Sequence, residues 1–190
     1  VVGIIHYENF KMIQKELNKQ AFTLHFRDSP IFVDPRDNDL GARIISPLEK
    51  LYLTIKKLNL KIVENNSYIK KAFLKGIPVE GLMSLQNQLF GLEINFEKLN
   101  AIDFKKGCYV GQENTARMKL KNKIRRQLMS IKTEKNVKIG DEIKYNDDVI
   151  GKILIDKPYP FALIKLFDPE FSAFKDKMLK INNDNAEIVS

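Results

Sequence analysis

Cysteine occurs once in the 190 residues, at Cys108, so no internal disulfide can form and cysteine alone cannot build a thiolate metal site. A reducing compartment is the simplest home for such a chain. No stretch approaches 18 uninterrupted apolar residues, which leaves no helix able to span a bilayer. Walker A, GxGxxG and GxSxG patterns are all missing, and with them the readily recognised nucleotide and serine-hydrolase chemistries. Histidine is scarce too: His6 and His25 lie in apolar strand-like runs with no cysteine or acid at ligand spacing, and read as core or edge residues. The opening VVGIIHYENF has no Met, basic leader or cleavage site, so a further N-terminal portion is expected before it.

What the chain does have is core and positive charge. Hydrophobic residues make up 44%, enough for one generous domain or two small ones. Lys and Arg number 32 against 24 acids, a formal charge of +8 and a pI near 9.4, which points to an anionic partner such as a nucleic acid or a polyanionic small molecule.

Periodicity divides the first 46 residues into strand, helix and three strands. VVGIIHY reads as a buried strand, and Phe10, Ile13 and Leu17 recur at helical spacing. Phe22, Leu24 and Phe26 then alternate as in a strand, and DPRDNDLG turns between Ile31 to Val33 and Ala42 to Ile45. Pro47 suits the first turn of a helix through about Leu58, with Leu48, Leu51, Tyr52, Ile55 and Leu58 on one face. A second helix, 66 to 75, has Tyr68, Ile69, Ala72 and Phe73 on one stripe and Gly76 and Pro78 as stops. Residues 77 to 104 have no clear period and read as loop with short helical or strand pieces, of a length usually found where loops are functional. Beyond Arg125, short apolar or alternating runs separated by Asn, Asp, Gly and Pro indicate a small antiparallel β-barrel or sandwich, with a boundary near 120 to 126.

The single thiol sits in FKKGCYVGQENTARMK, where CYVGQENTARMKL suggests about three turns of helix despite Gly111. A thiol at a helix start is drawn toward thiolate by unpaired amides and the macrodipole, and Lys105 and Lys106 add charge of the same sign. The alternative is a small buried hydrophobe. Gly107 and Gly111 leave space on either side, as a closely approaching backbone or ligand would require, or as ordinary turns would. Helical spacing would put Gln112 one turn from Cys108, Glu113 one turn from Tyr109, and Arg117 one turn from Glu113 as a possible ion pair. Residues 105 to 126 hold eight cations against one acid, Glu113. Lys119, Lys121 and Lys123 would share a face if extended and, with Arg125 and Arg126, form either an anion-binding strip or a solvated linker.

KGCYVGQE, residues 106 to 113, resembles the KGCYxGQE signature of the YgfZ family, folate-binding proteins of iron-sulfur enzyme maintenance and tRNA modification. Its flanks are similar in family order: DPRDNDLGAR at Asp34 to Arg43, GIP at Gly76 to Pro78, LEIN at Leu92 to Asn95, LNAIDF at Leu99 to Phe104, Ala116 with Arg117, and RRQL at Arg125 to Leu128. The resemblance implies an α+β, aminomethyltransferase-like folate-binding fold related to the glycine-cleavage T-protein, incomplete at its N-terminus, with a C-terminal antiparallel β-barrel. It divides the chain at 1 to 124, comprising parts of a first domain to 75 and of a second from 76, and at 125 to 190. It implies tetrahydrofolate or a derivative as cofactor, Tyr68 as a folate contact, and Cys108 as the essential reactive group. Lys106, Gly107, Tyr109, Gly111, Gln112, Glu113 and Arg117 would support that thiol. Periodicity by itself puts Tyr68 in the packed stripe. Ala72 stands where family members often have Arg, with Lys71 beside it, and Ala101 and Asn122 stand where Gly is frequent.

Three functions follow for testing. The first is a folate-binding accessory protein, a folate-dependent transferase if it is an enzyme at all, that assists assembly or repair of iron-sulfur clusters, with iron-sulfur enzymes or assembly factors as partners, tRNA affected only indirectly, and no membrane. The others are a tetrahydrofolate-dependent aminomethyltransferase and a basic tRNA-binding module. A cytoplasmic location is expected, or a mitochondrial matrix one if an N-terminal part precedes.

Overall fold

Alternation of apolar residues sets the first sheet. The computed structural model describes residues 1–107, 110–121 and 124–189, in two compact units, Val1–Tyr68 and Ile69–Ser190. In the first, β1 (Val2–Ile5), β2 (Thr23–Phe26), β3 (Ser29–Val33) and β4 (Ala42–Ile45) form an antiparallel sheet in the order β1-β4-β3-β2. Helix α1 (Tyr7–Glu16) buries Phe10 and Ile13 against Leu24, Phe26, Ile31 and Ile44, where Leu51 of α2 (Leu48–Lys57) joins them. Gly3 faces the same layer, since a Cβ there would meet Ile44 and Leu51.

Two expectations change here. VVGIIHY is an edge strand, not a buried one: Val2 and Ile4 are exposed because the helices cover only the opposite face. Leu48 and Tyr52 of α2 are also exposed, and the inward stripe is Leu51, Thr54, Ile55 and Leu58, with Thr54 satisfied by donating Oγ1 to the Lys50 carbonyl. Of the core and edge placements left open for the histidines, His25 takes the edge, on strand β2, and His6 stands at the N-cap of α1, both exposed.

Helix α3 (Asn65–Leu74) buries Ala72 and Phe73, leaving Tyr68 and Ile69 half-buried. Its end closes as a Schellman motif, with Ile77 N donating to Ala72 O and Gly76 N to Phe73 O, so GIP is the cap of this helix.

The C-terminal strands β5 (Arg126–Thr133), β6 (Glu142–Tyr145), β7 (Asp148–Ile155), β8 (Phe161–Lys165), β9 (Leu179–Ile181) and β10 (Asp184–Ile188) close a barrel in the order β10-β5-β8-β7-β6-β9, around Ile131, Ile143, Ile150, Ile153, Ile164 and Phe174. Of the two β architectures left open by the sequence, this is the barrel. Asn146–Asp147 and Asn182–Asn183 join hairpins with both residues at positive φ, the primed-turn geometry that Asn and Asp tolerate. The mixed helix-and-strand expectation also agrees with the structure.

Residues 77 to 104, without a sequence period, form turns and a short 3-10 helix, Leu82–Leu85. Apolar burial fixes them: Leu85, with Leu82, Leu89 and Ile94 beside it, packs on Phe73, Leu128, Ile155 and Phe161.

Candidate functional site

Helix α4 (Gln112–Leu120) starts at Gln112, and Gly111 is its N-cap at φ 85°, a left-handed conformation costly for a residue with a Cβ. The glycine therefore begins the helix instead of interrupting it. The expected one-turn spacings of Cys108 to Gln112 and Tyr109 to Glu113 involve Cys108 and Tyr109, which lie outside the described residues, as do Asn122 and Lys123. Glu113 and Arg117 do lie one turn apart on α4, both exposed. Lys105, Lys106 and Gly107 are exposed as well, and Lys105 N donates to Asp103 Oδ1 at 2.8 Å. A Cβ on Gly107 or Gly111 would meet nothing within 4 Å. The protein's own backbone thus gives no close approach at either, and Gly107 leaves open space.

The basic run is divided among several structural roles. Lys119 is in α4 and pairs with Glu97 at 2.7 Å, its ammonium 5.8 Å from the Phe104 ring centroid; Lys121 is the helix C-cap. Arg125 is exposed and its carbonyl accepts from Leu166 N. Arg126 donates through Nε to Glu93 Oε1 at 3.0 Å, and its Nη2 lies 2.9 Å from the same oxygen as an ion pair. The acids that answer Lys119 and Arg126 come from the irregular segment, so charge counted along 105 to 126 overstates the free positive potential.

LEIN and RRQL meet at the same seam. Leu128 N donates to Glu93 O at 2.7 Å, Asn95 Nδ2 to Leu128 O at 2.9 Å, and Gln127 Nε2 to Asn95 Oδ1. Glu93 is 5% exposed, and its other oxygen accepts from Phe90 N. These two motifs hold the irregular segment to β5.

A second cluster gathers around Tyr68. Asp34, 1% exposed, accepts at Oδ1 from Arg36 N and Nε (3.0 and 2.9 Å) and at Oδ2 from Arg36 Nη2 (2.8 Å) and Arg43 Nη2 (3.1 Å). Arg36 Nη2 also donates to Tyr68 Oη at 2.8 Å. Burial alone would raise the Asp34 carboxyl, but the hydrogen bonds and charge of Arg36, with the charge of Arg43, hold it below the ordinary carboxylate value. The bond to Asp34 raises Arg36 further, against desolvation. Gly41, at φ 83°, lets this turn pass β1: a Cβ there would lie 2.0 Å from the Ile5 carbonyl oxygen.

Sequence reasoning placed Tyr68 in the site but missed Asp34, Arg36 and Arg43 as its surroundings. The available signal was the spacing of DPR and LGAR, with an Asp two residues before an Arg that can close an Asx turn on its own backbone. Among the described residues, no group of three or more His, Cys, Asp or Glu is placed to hold a metal ion, and no helix is long and apolar enough to cross a membrane.

No family model matches the chain. Among curated proteins, an "iron-sulfur cluster assembly factor IBA57 homolog, mitochondrial" from Dictyostelium discoideum is 34% identical over 119 residues, 59% of this chain and 29% of the relative. One of the same name from Neurospora crassa is 32% identical over 145 residues, 72% of this chain and 28% of the relative. The "tRNA-modifying protein YgfZ" of Buchnera aphidicola is 32% identical over 133 residues, 63% of this chain and 40% of the relative. The alignments with the Dictyostelium and Neurospora relatives thus span under a third of each relative's length.

Proposed function

This chain belongs to the YgfZ family, and on that footing we propose that it is a folate-binding accessory protein for the assembly or repair of iron-sulfur clusters, with Cys108 as its essential reactive group. The observation that carries the reading is its similarity to relatives named for iron-sulfur cluster assembly, together with the KGCYVGQE run that holds the only cysteine. An aminomethyltransferase-like architecture in three parts, ending at 75, 124 and 190, belongs to the same proposal.

The residues around Tyr68 suit a folate. A half-buried phenol ring offers a surface on which the flat aminobenzoyl ring next to the folate tail can stack, and Arg36 fixes its hydroxyl. Bound folate would supply one-carbon or redox chemistry; the residues around Tyr68 would supply an aromatic wall and positive charge. Open space at Gly107 supports close approach of a ligand or client to the signature.

A direct tRNA-binding role is weakened by the pairing of Lys119 with Glu97 and Arg126 with Glu93, which removes two cations from the strip. The name of the Buchnera relative fits an effect on tRNA through an iron-sulfur enzyme. The printed names of the Dictyostelium and Neurospora relatives favour a mitochondrial home over the cytoplasmic one first expected.

Replacing Cys108 by Ser in the full chain tests the reading. Expression of the variant in cells deleted for the protein is expected to leave iron-sulfur enzyme activities unrestored, while the parent restores them. Restoration to the parent level would remove Cys108 from the mechanism.

A further inference from the structure

The cluster around Asp34 holds more hydrogen-bond donors than its own carboxylate consumes. Two guanidinium groups face one carboxylate, an excess of one positive charge. Their contacts with Asp34 and Tyr68 use three of the five side-chain donors of Arg36 and two of the five of Arg43. Arginine has no acceptor to offer in return, and Tyr68 Oη already accepts from Arg36, so its own proton is directed elsewhere. Asp34 is 1% exposed while the side chains of Arg36 and Arg43 are 21% and 34% exposed. Asp34 is therefore hidden while guanidinium surface of both arginines reaches solvent, in a turn where Asp37 is part-exposed and Asp39 exposed. Asp37, the next acid in the turn, accepts from Asp39 N as the cap of the 3-10 helix Asn38–Leu40.

From this arrangement we infer that Arg36, Arg43 and the Tyr68 hydroxyl form a carboxylate-recognition subsite, which takes a tail carboxylate of the folate. The inference rests on the folate-binding reading above and adds the end of the ligand that is recognised. A carboxylate is acceptor-only and suits such a set: guanidinium forks match its planar oxygens, and a phenol proton adds a third bond. Asp34 keeps both arginines in place before the ligand arrives, so little side-chain entropy remains to be lost on binding.

Binding of folic acid and of its dimethyl ester, whose tail carboxylates are masked, to the purified full chain separates the possibilities. The parent is expected to prefer the acid by on the order of tenfold, the worth of one charge-assisted hydrogen bond. Arg43→Gln, which leaves Asp34 paired with Arg36, is expected to abolish that preference while ester affinity stays unchanged; Tyr68→Phe reduces acid binding alone, several-fold. Should Arg43→Gln fail to fold, as judged by circular dichroism, Tyr68→Phe and Arg43→Lys provide the comparison, the lysine being intermediate. Equal binding of acid and ester by the parent, or an equal loss of both in the variants, overturns the subsite and leaves folate binding standing. Failure of the parent to bind either compound overturns the folate reading, and the subsite with it.

Discussion

Arg126 reaches back 33 residues to Glu93, a carboxylate only 5% exposed, donating from Nε to one oxygen with Nη2 2.9 Å from the same atom. The arginine is half in water, which limits the Coulombic worth of the pair, but its removal would strand a buried acid. Arg126→Ala is expected to destabilise Ile69–Ser190 by about 1–2 kcal/mol, and Arg125→Ala by less than about 0.5 kcal/mol. Urea unfolding followed by circular dichroism measures both; equal effects would mean that the seam is not held by this pair.

Asp34 gives the first unit an acid-sensitive element. Its folded pKa is depressed, so the stabilisation is fully present above the ordinary carboxylate pKa of about 3.9 and is lost as pH falls through the lower folded value. Asp34→Asn should lower stability at pH 7 by roughly 2–4 kcal/mol, moderated by the partial exposure of both arginines. Below about pH 4 the gap between parent and variant should narrow. Thermal melts from pH 7 down to pH 2 check the sign; a gap that widens on acidification contradicts the assignment.

Gly41 is the one glycine of the DPRDNDLGAR turn. Alanine there would combine an unfavourable backbone angle with a methyl 2.0 Å from the Ile5 carbonyl oxygen, so β1 would have to move. A loss of more than about 3 kcal/mol, or no soluble protein, is expected for Gly41→Ala. A melting temperature within a degree of the parent would show that β1 does not lie where described.

The glycines flanking the thiol should separate stability from function. Gly111→Ala carries the cost of a left-handed backbone, about 1–2 kcal/mol. Gly107→Ala meets open space and is expected to leave stability unchanged while impairing the cellular restoration assay, if something outside the chain must approach there. Loss of stability without loss of restoration in Gly107→Ala would reverse its assignment.

Much of the fold was legible because periodicity reports burial locally. Phe10 and Ile13 marked α1, Ala72 and Phe73 marked α3, and the short runs after Arg125 marked the barrel. What escaped depends on partners distant in sequence. VVGII looks the same whether one face or two are covered, so its edge position was invisible until β4 became its only strand neighbour. Helical periodicity also carried Leu48 and Tyr52 into the α2 stripe, whereas the sheet takes Thr54 instead. Charge counting saw Lys119 and Arg126 as free cations because Glu97 and Glu93 precede that window. Tyr68 could be singled out only through the resemblance to the YgfZ family, and the arginine that fixes its hydroxyl lies 32 residues away.

Ring closure has a consequence for hydrogen-deuterium exchange. Every strand of the C-terminal barrel has a neighbour on both sides, whereas β1 and β2 of the first sheet each have one. Amides on the outer sides of β1 and β2 have no ladder partner within the sheet, so local fraying releases them first. Amides in β5, β7 and β8 become accessible only when the ring opens, and they should be the last to lose protium.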